Sequence, residues 1–137
     1  MSFAARLARH PSIADAFIEL QGPLGAGKTT FARHLLRALG IGGRVKSPSY
    51  AVLEPYRAGA IEISHFDFFR FDDPREWEDA GFREVFARAG LKLAEWPDKA
   101  RGMLPRPDLV LHIEPVGNGE REVTVQALSA RGVELLA

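Results

Sequence analysis

The stretch Gly22-Pro23-Leu24-Gly25-Ala26-Gly27-Lys28-Thr29 limits what this chain can fold into more than any other. It fits G-x-x-x-x-G-K-[ST], in which glycines let the backbone turn back and aim consecutive N–H groups at one anion. Lys28 is spaced to reach the β- and γ-phosphates of a nucleotide, and the Thr29 hydroxyl to ligate Mg²⁺. The flanks supply the context the motif needs. Ala16 to Gln21 reads as a short strand, and Thr30 to Leu39 as a helix with Phe31, Leu35, Ala38 and Leu39 on one face. Gly40 stands where a C′ glycine belongs. A helix N-terminus placed after such a loop adds its own attraction for phosphate. A glycine-rich connection with a stray lysine is the plain alternative, and it does not account for the flanks. The expectation is a nucleoside triphosphate site.

Length and composition narrow the classes. The 137 residues suit one domain with a real core. Lys+Arg and Asp+Glu are both 18, so no overall positive field draws the chain to nucleic acid. The absence of cysteine excludes disulfides and thiolate metal sites and fits a reducing cytoplasm. No apolar run approaches a membrane span. Met1 to Phe17, with Arg6, Arg9 and His10 among alanines, reads as a short surface helix rather than a transit segment.

Along the chain, Tyr50–Tyr56 and Ile61–Phe68 read as strands joined around Arg57-Ala58-Gly59-Ala60. Alternation puts Ile61, Ile63, His65 and Asp67 on one strand face. Asp73 can cap a helix beginning at Pro74 and running to Ala89, with Trp77, Phe82, Val85 and Phe86 close together and Gly90 as its stop. Leu91–Trp96 reads as a strand closed by Pro97. Leu109–Ile113 and Val123–Ala127 pair as strands across Gly117-Asn118-Gly119. The architecture expected is α/β, a P-loop NTPase-like three-layer fold with a mixed, partly antiparallel sheet.

A phosphate loop needs a second metal-orienting carboxylate, usually at the end of an apolar strand. Asp67, Glu95 and Glu114 each end one. Pattern alone ranks Asp67 and Glu95 level and Glu114 below them, because a hairpin follows it. Surface exposure is the ordinary fate of such acids. His65 reads as an orienting or packing histidine; Trp77 and Trp96 read as core or rim aromatics.

Four motifs in order, G-x-L-G-A-G-K-T-T from Gly22, Ser47-Pro48-Ser49-Tyr50, His65-Phe66-Asp67-Phe68-Phe69-Arg70 and Glu95-Trp96-Pro97, resemble the TsaE (YjeE) family, and Asp79 to Phe86 resembles its linking segment. The resemblance implies a small bacterial ATPase required for threonylcarbamoyl modification of adenosine in certain tRNAs. It implies action with TsaD and TsaB, with tRNA met only through that assembly. It implies ATP/ADP and Mg²⁺ as cofactors, held by Gly22, Leu24, Gly25, Ala26, Gly27, Lys28, Thr29 and Thr30, with Ser47, Ser49 and Trp96 near the nucleotide. Thr29, Asp67 and Glu95 would attend the metal, and Asp67 and Glu95 the hydrolysis.

The chain departs from the family pattern at three places. Pro23 replaces a usual acid and cannot donate an N–H. Ser49 replaces a threonine, and Phe69 a tyrosine, removing a phenol. Two other functions share the phosphate loop: a small-molecule kinase, for which the Arg101–Arg106 span is thin as a lid, and a nucleotide-gated binding module without turnover. A GTPase is disfavoured because no [NT]-K-x-D stretch occurs. Arg70 is the candidate arginine beside a motif, with a surface ion pair as its ordinary role.

Overall fold

The computed structural model describes residues 2–23, 26–43, 52–69, 71, 73, 75, 77 and 81–137. Leu24, Gly25, Ser47, Ser49, Tyr50, Arg70, Pro74 and Asp79, all singled out above, lie outside the described residues. Strands β1 (Phe17–Gln21), β2 (Leu53–Ala58), β3 (Ile61–Asp67), β4 (Leu91–Glu95), β5 (Leu109–Pro115) and β6 (Arg121–Ala127) form one sheet in the order β2-β3-β4-β1-β5-β6. β3, β4, β1 and β5 run parallel, while β2 and β6 close the two edges antiparallel. The mixed sheet is therefore as expected. Pro55, which lacks a ladder donor, sits on edge strand β2, where that loss is tolerated.

Alternation along the strands sorts side chains into two cores. Ile18, Leu20, Ile63, Leu91, Leu93, Leu109 and Leu111 face one side and pack against helices α1 (Phe3–Arg9), α2 (Lys28–Ala38) and the C-terminal helix α4 (Ala130–Leu136). Phe17, Phe66 and Ala94 face the other, packing with Phe68, Phe71, Trp77, Phe82 and Val85. That second core is aromatic: Phe66 meets Phe82 edge-on at 5.3 Å and Trp77 stacks on Phe86 at 5.6 Å. The result is three layers around a central sheet.

The helices differ from expectation in particulars. In α2 the expected face packs on the core through Phe31, Leu35 and Leu39, joined by buried Ala32 and Leu36, while Ala38 is exposed. Of the segment expected to be helical from Pro74 through Ala89, the described residues Arg75 and Trp77 are helical and Asp73 Oδ1 accepts from Arg75 N–H at 2.9 Å, but Gly81 at φ +70° interrupts it and α3 is a separate helix over Phe82–Ala87. Left-handed glycine starts a new helix there. The turn between β2 and β3 shortens to Gly59-Ala60. Helix α4 was not foreseen at all. Its N-cap Ser129 accepts from Gly132 N–H at 2.9 Å and donates to Asp108 Oδ1 at 2.6 Å, and Asp108 Oδ2 accepts from Phe17 N–H at 2.8 Å. One buried aspartate thus ties α4 to the start of β1. No described helix is long and apolar enough to cross a membrane.

One core position is electrostatically unfavourable. Glu19 in central strand β1 is 1% exposed, and its Oε2 accepts no hydrogen bond among the described residues. Burial raises its proton affinity, and Arg101, 3.8 Å away and half exposed, only partly opposes this. A carboxyl raised in this way favours the folded state while protonated and costs stability as pH rises through its folded value. Glu19→Gln is therefore expected to raise the thermal midpoint at about pH 7. The gain should shrink towards zero below the ordinary glutamate range, as read by melting curves across pH.

Candidate functional site

The four parallel strands point the same way, so their C-terminal ends meet along one rim, where ligands of such sheets bind. The register brings particular residues together there. Leu20 of β1 pairs with Glu95 of β4, and Asp67 of β3 pairs with the same Glu95. Asp67, His65 and Glu95 share the strand parity of Ile63, Leu91 and Leu93 and therefore face the α2 side of the sheet. Glu114 has the opposite parity to buried Ile113 and is exposed. The structure brings two of the three candidate acids together and leaves the third outside.

The loop leaves β1 through Gly22, whose φ of +147° and close approach to Ile113 exclude any side chain. Pro23 contributes its carbonyl: the oxygen accepts from Ala26 N–H at 3.1 Å and from the Lys28 ammonium at 3.2 Å. Its missing N–H is not used in either bond. Gly27, at φ +102°, forms the N-cap of α2, and its carbonyl accepts from Phe31 N–H at 2.9 Å. The first residues of α2 then carry the functional side chains, Lys28 buried and Thr30 exposed at the helix start.

Glu95 is the hub. Thr29 Oγ1 lies 2.9 Å and 3.0 Å from its two carboxylate oxygens, and His65 Nε2 lies 2.7 Å from Oε2. His65 is fully buried and Glu95 nearly so. The histidine therefore orients the acid, as its position on the Ile61–Asp67 face suggested. Asp67 Oδ1 accepts from Phe69 N–H at 3.0 Å. Burial raises the Asp67 proton affinity, and the nearby Glu95 carboxylate adds to the effect, against that N–H, His65 and Lys28. For Lys28, burial lowers the proton affinity while Glu95 and Asp67 oppose the change.

Trp96 departs from the strand with φ +54°, an uncommon backbone for a bulky residue. Its ring centroid lies 3.8 Å from Lys28 Nζ, a cation–π contact, and 5.0 Å from the Phe69 ring. Phe69, where the resemblance leads one to expect a phenol, is thus a wall of the cleft. The cleft itself, about 350 Å³, is lined by Ala26 to Thr30, Asp67, Phe69, Glu95, Trp96 and Arg121. Arg121 was not anticipated. It opens β6 and donates from Nε to the Ala26 carbonyl at 2.7 Å. No local sequence signal marks it, because the contact exists only through the β5–β6 hairpin.

Chemically, the described residues of the rim offer two hydroxyls, two carboxylates and two cations around a glycine turn. Among the described residues no group of three or more His, Asp or Glu side chains is disposed to hold a metal alone. Hard oxygen donors of this number suit a cation that shares its ligands with phosphate, as Mg²⁺ does.

A P-loop-like α/β protein is what this sheet, loop and rim define. The family described as "Threonylcarbamoyl adenosine biosynthesis protein TsaE" matches residues 1–123. The chain is 38% identical over 120 residues to the tRNA threonylcarbamoyladenosine biosynthesis protein TsaE of Haemophilus influenzae, covering 88% of this chain and 69% of that one. It is 38% identical over 114 residues to the Bacillus subtilis protein of the same name, covering 83% and 71%. The crystal structure of Bacillus subtilis YdiB superposes with a TM-score of 0.78 at 30% identity, over 98% of this chain and 82% of that chain. The chain belongs to the TsaE family.

A Cβ on Gly22 would lie 2.2 Å from the Ile113 carbonyl oxygen, whereas one on Gly40, also at positive φ, would meet nothing within 4 Å. Gly22→Ala is expected to cost on the order of 3 kcal/mol, from the clash and the backbone strain together. Gly40→Ala should cost about 1 kcal/mol from backbone alone. Chemical denaturation of the two variants checks the difference.

Proposed function

We propose that this chain is the ATP-binding and ATP-hydrolysing component of tRNA threonylcarbamoyladenosine biosynthesis, acting in the cytoplasm with TsaD and TsaB and meeting tRNA only through that assembly. The observation that carries the reading is the Glu95 carboxylate, held by Thr29 and His65 and in register with Asp67, beside the Lys28 ammonium. It matters because phosphoryl transfer to water depends on placement and charge neutralisation more than on covalent help.

In this reading the α2 N-terminus and loop amides receive the phosphates, and Lys28 leaves its carbonyl contacts with Gly22 and Pro23 to neutralise β/γ oxygens. Thr29 Oγ1 and the Asp67 carboxylate would hold Mg²⁺, which would supply charge neutralisation at the phosphate oxygens. Glu95 orients the attacking water and accepts its proton, with His65 fixing the carboxylate from behind. The described site has no arginine placed at the acids, and a missing arginine can cost about 10³–10⁵ in rate. We expect slow hydrolysis by the chain alone and faster hydrolysis with TsaD and TsaB, because a partner can supply charge at the acids.

Lys28→Ala is expected to weaken ATP binding beyond detection by calorimetry while the protein stays folded; retained affinity would overturn the reading. Glu95→Gln should keep ATP binding and lower steady-state phosphate release by a factor of about 10² or more. Glu114→Gln should change release by less than about twofold, since that side chain is exposed outside the cleft. Phosphate release measured with and without purified TsaD and TsaB tests the partner dependence.

A further inference from the structure

The sheet has two edges, and they are not protected alike. In an antiparallel ladder, residues that exchange hydrogen bonds alternate with residues that turn their backbone groups away. At β2 the bond from Asp67 N–H to the Val52 carbonyl fixes the phase, so Glu54, Tyr56 and Ala58 face β3 while Leu53, Pro55 and Arg57 turn outwards. Pro55, which has no N–H, thus stands in the outward row. A proline there is one way in which natural edges resist pairing.

The β6 edge carries no such block. Val116 N–H donates to the Glu120 carbonyl at one end of the hairpin, and Leu128 N–H to the Asp108 carbonyl at the other. Counting inwards by twos from either bond, Glu122, Thr124 and Gln126 spend their backbone groups on β5. Arg121, Val123, Val125 and Ala127 direct theirs away from the sheet, and no backbone partner meets them among the described residues. From Val123 to Ala127 this strand has no charge, no proline and no bulge. Val116, Val123 and Val133, all exposed, lie on its hairpin, on β6 itself and on α4, which packs against it.

The strand is also close to self-complementary. Laid antiparallel to a second copy about Thr124, it sets Val123 against Val125, Glu122 against Gln126, Arg121 against Ala127 and Thr124 against itself. Every outward residue then meets an outward residue, and no like charges stand opposite. A two-fold about Val123 leaves Ala127 without a strand partner, and one about Val125 does the same to Arg121. A two-fold about Glu122 sets that carboxylate against itself, which is unfavourable.

We infer that β6 is an association edge for a second copy of this chain, the two strands pairing antiparallel about Thr124 so that the sheet continues from one molecule into the other. Both copies contribute the same row of groups, as a two-fold interface requires. Val123 of each copy packs beside Val125 of the other on the α2 side of the sheet, and the two Thr124 hydroxyls meet on the opposite face.

Sedimentation equilibrium of the full chain over about a hundredfold range of concentration reads the association. The wild-type chain is expected to pass from monomer to dimer by mass action. Val123→Pro removes an outward N–H and no bond to β5, as Pro55 does at β2, and should leave monomer alone. Thr124→Glu and Thr124→Lys each set like charges across the two-fold and should weaken association by about tenfold or more. An equimolar mixture of those two variants should restore a mixed dimer. Circular dichroism melts check that each variant is folded; if Val123→Pro is not, the Thr124 pair decides alone. A wild-type chain that stays monomeric would overturn the inference, even if the edge took up an extended peptide from another protein. Undiminished dimer in folded Val123→Pro or in Thr124→Glu, or no recovery in the mixture, would overturn it as well.

Discussion

The contact between Glu95 and its two neighbours holds the candidate site together. One carboxylate at the end of β4 meets the Thr29 hydroxyl from α2 and the His65 ring from β3, so three elements are joined through four heavy atoms within about hydrogen-bond range. A buried acid would be costly if it stood alone. Here each partner lies where the strand register and the helix start put it, and none is carried on a long connection. Rigid placement of this kind is what a site on strand ends and a helix N-terminus can deliver and a loop cannot.

That contact depends in turn on the aliphatic core between sheet and helices. Ile18, Leu20, Leu91 and Leu93 seat β1 and β4 against Leu35 and Leu36 of α2. Sliding α2 along the sheet by one turn, about 5.4 Å, would separate Thr29 from Glu95 and expose apolar surface at once. Packing and site geometry therefore share one constraint. The aromatic core on the opposite face supports it by filling the space under β3 and β4 with Phe66, Phe82 and Trp77.

Two features run against stability and fit a site better than a scaffold. Asp67 is held where burial and Glu95 both favour its protonated form. Trp96 occupies a left-handed backbone conformation immediately before Pro97, a residue that itself restricts its predecessor. Strain of this sort persists where surrounding structure over-determines it, and it collects at binding sites. Glu19 carries a similar burial cost without lining the cleft, and its ion pair with Arg101 joins β1 to the turn after β4.

Local pattern was enough to place β1, the glycine turn and α2, because period, glycine positions and a helix start are written within about twenty residues of one another. It also put Ile63, His65 and Asp67 on one strand face, since alternation is a property of the strand itself. The contacts of His65 and Thr29 with Glu95 were beyond it: they span 30 and 66 residues and follow from strand order, which no single segment encodes. Residues alone placed Glu114 below Glu95 only because a hairpin follows it; register and parity separate them physically, burying one beside Thr29 and leaving the other exposed. Helix α4 carries a local cap, Ser129 accepting from Gly132 N–H, but the contact that docks it against β1, Ser129 to Asp108, is 21 residues away. Arg121 is the extreme case, one of 18 basic residues in the chain and 95 positions from the carbonyl it holds. The sequence by itself determined the strands, the helix after the glycine turn and what chemistry that turn invites. The tertiary structure decided which distant side chains share the cleft, because hydrogen bonds between strands set that, and their pairing is a property of the whole sheet.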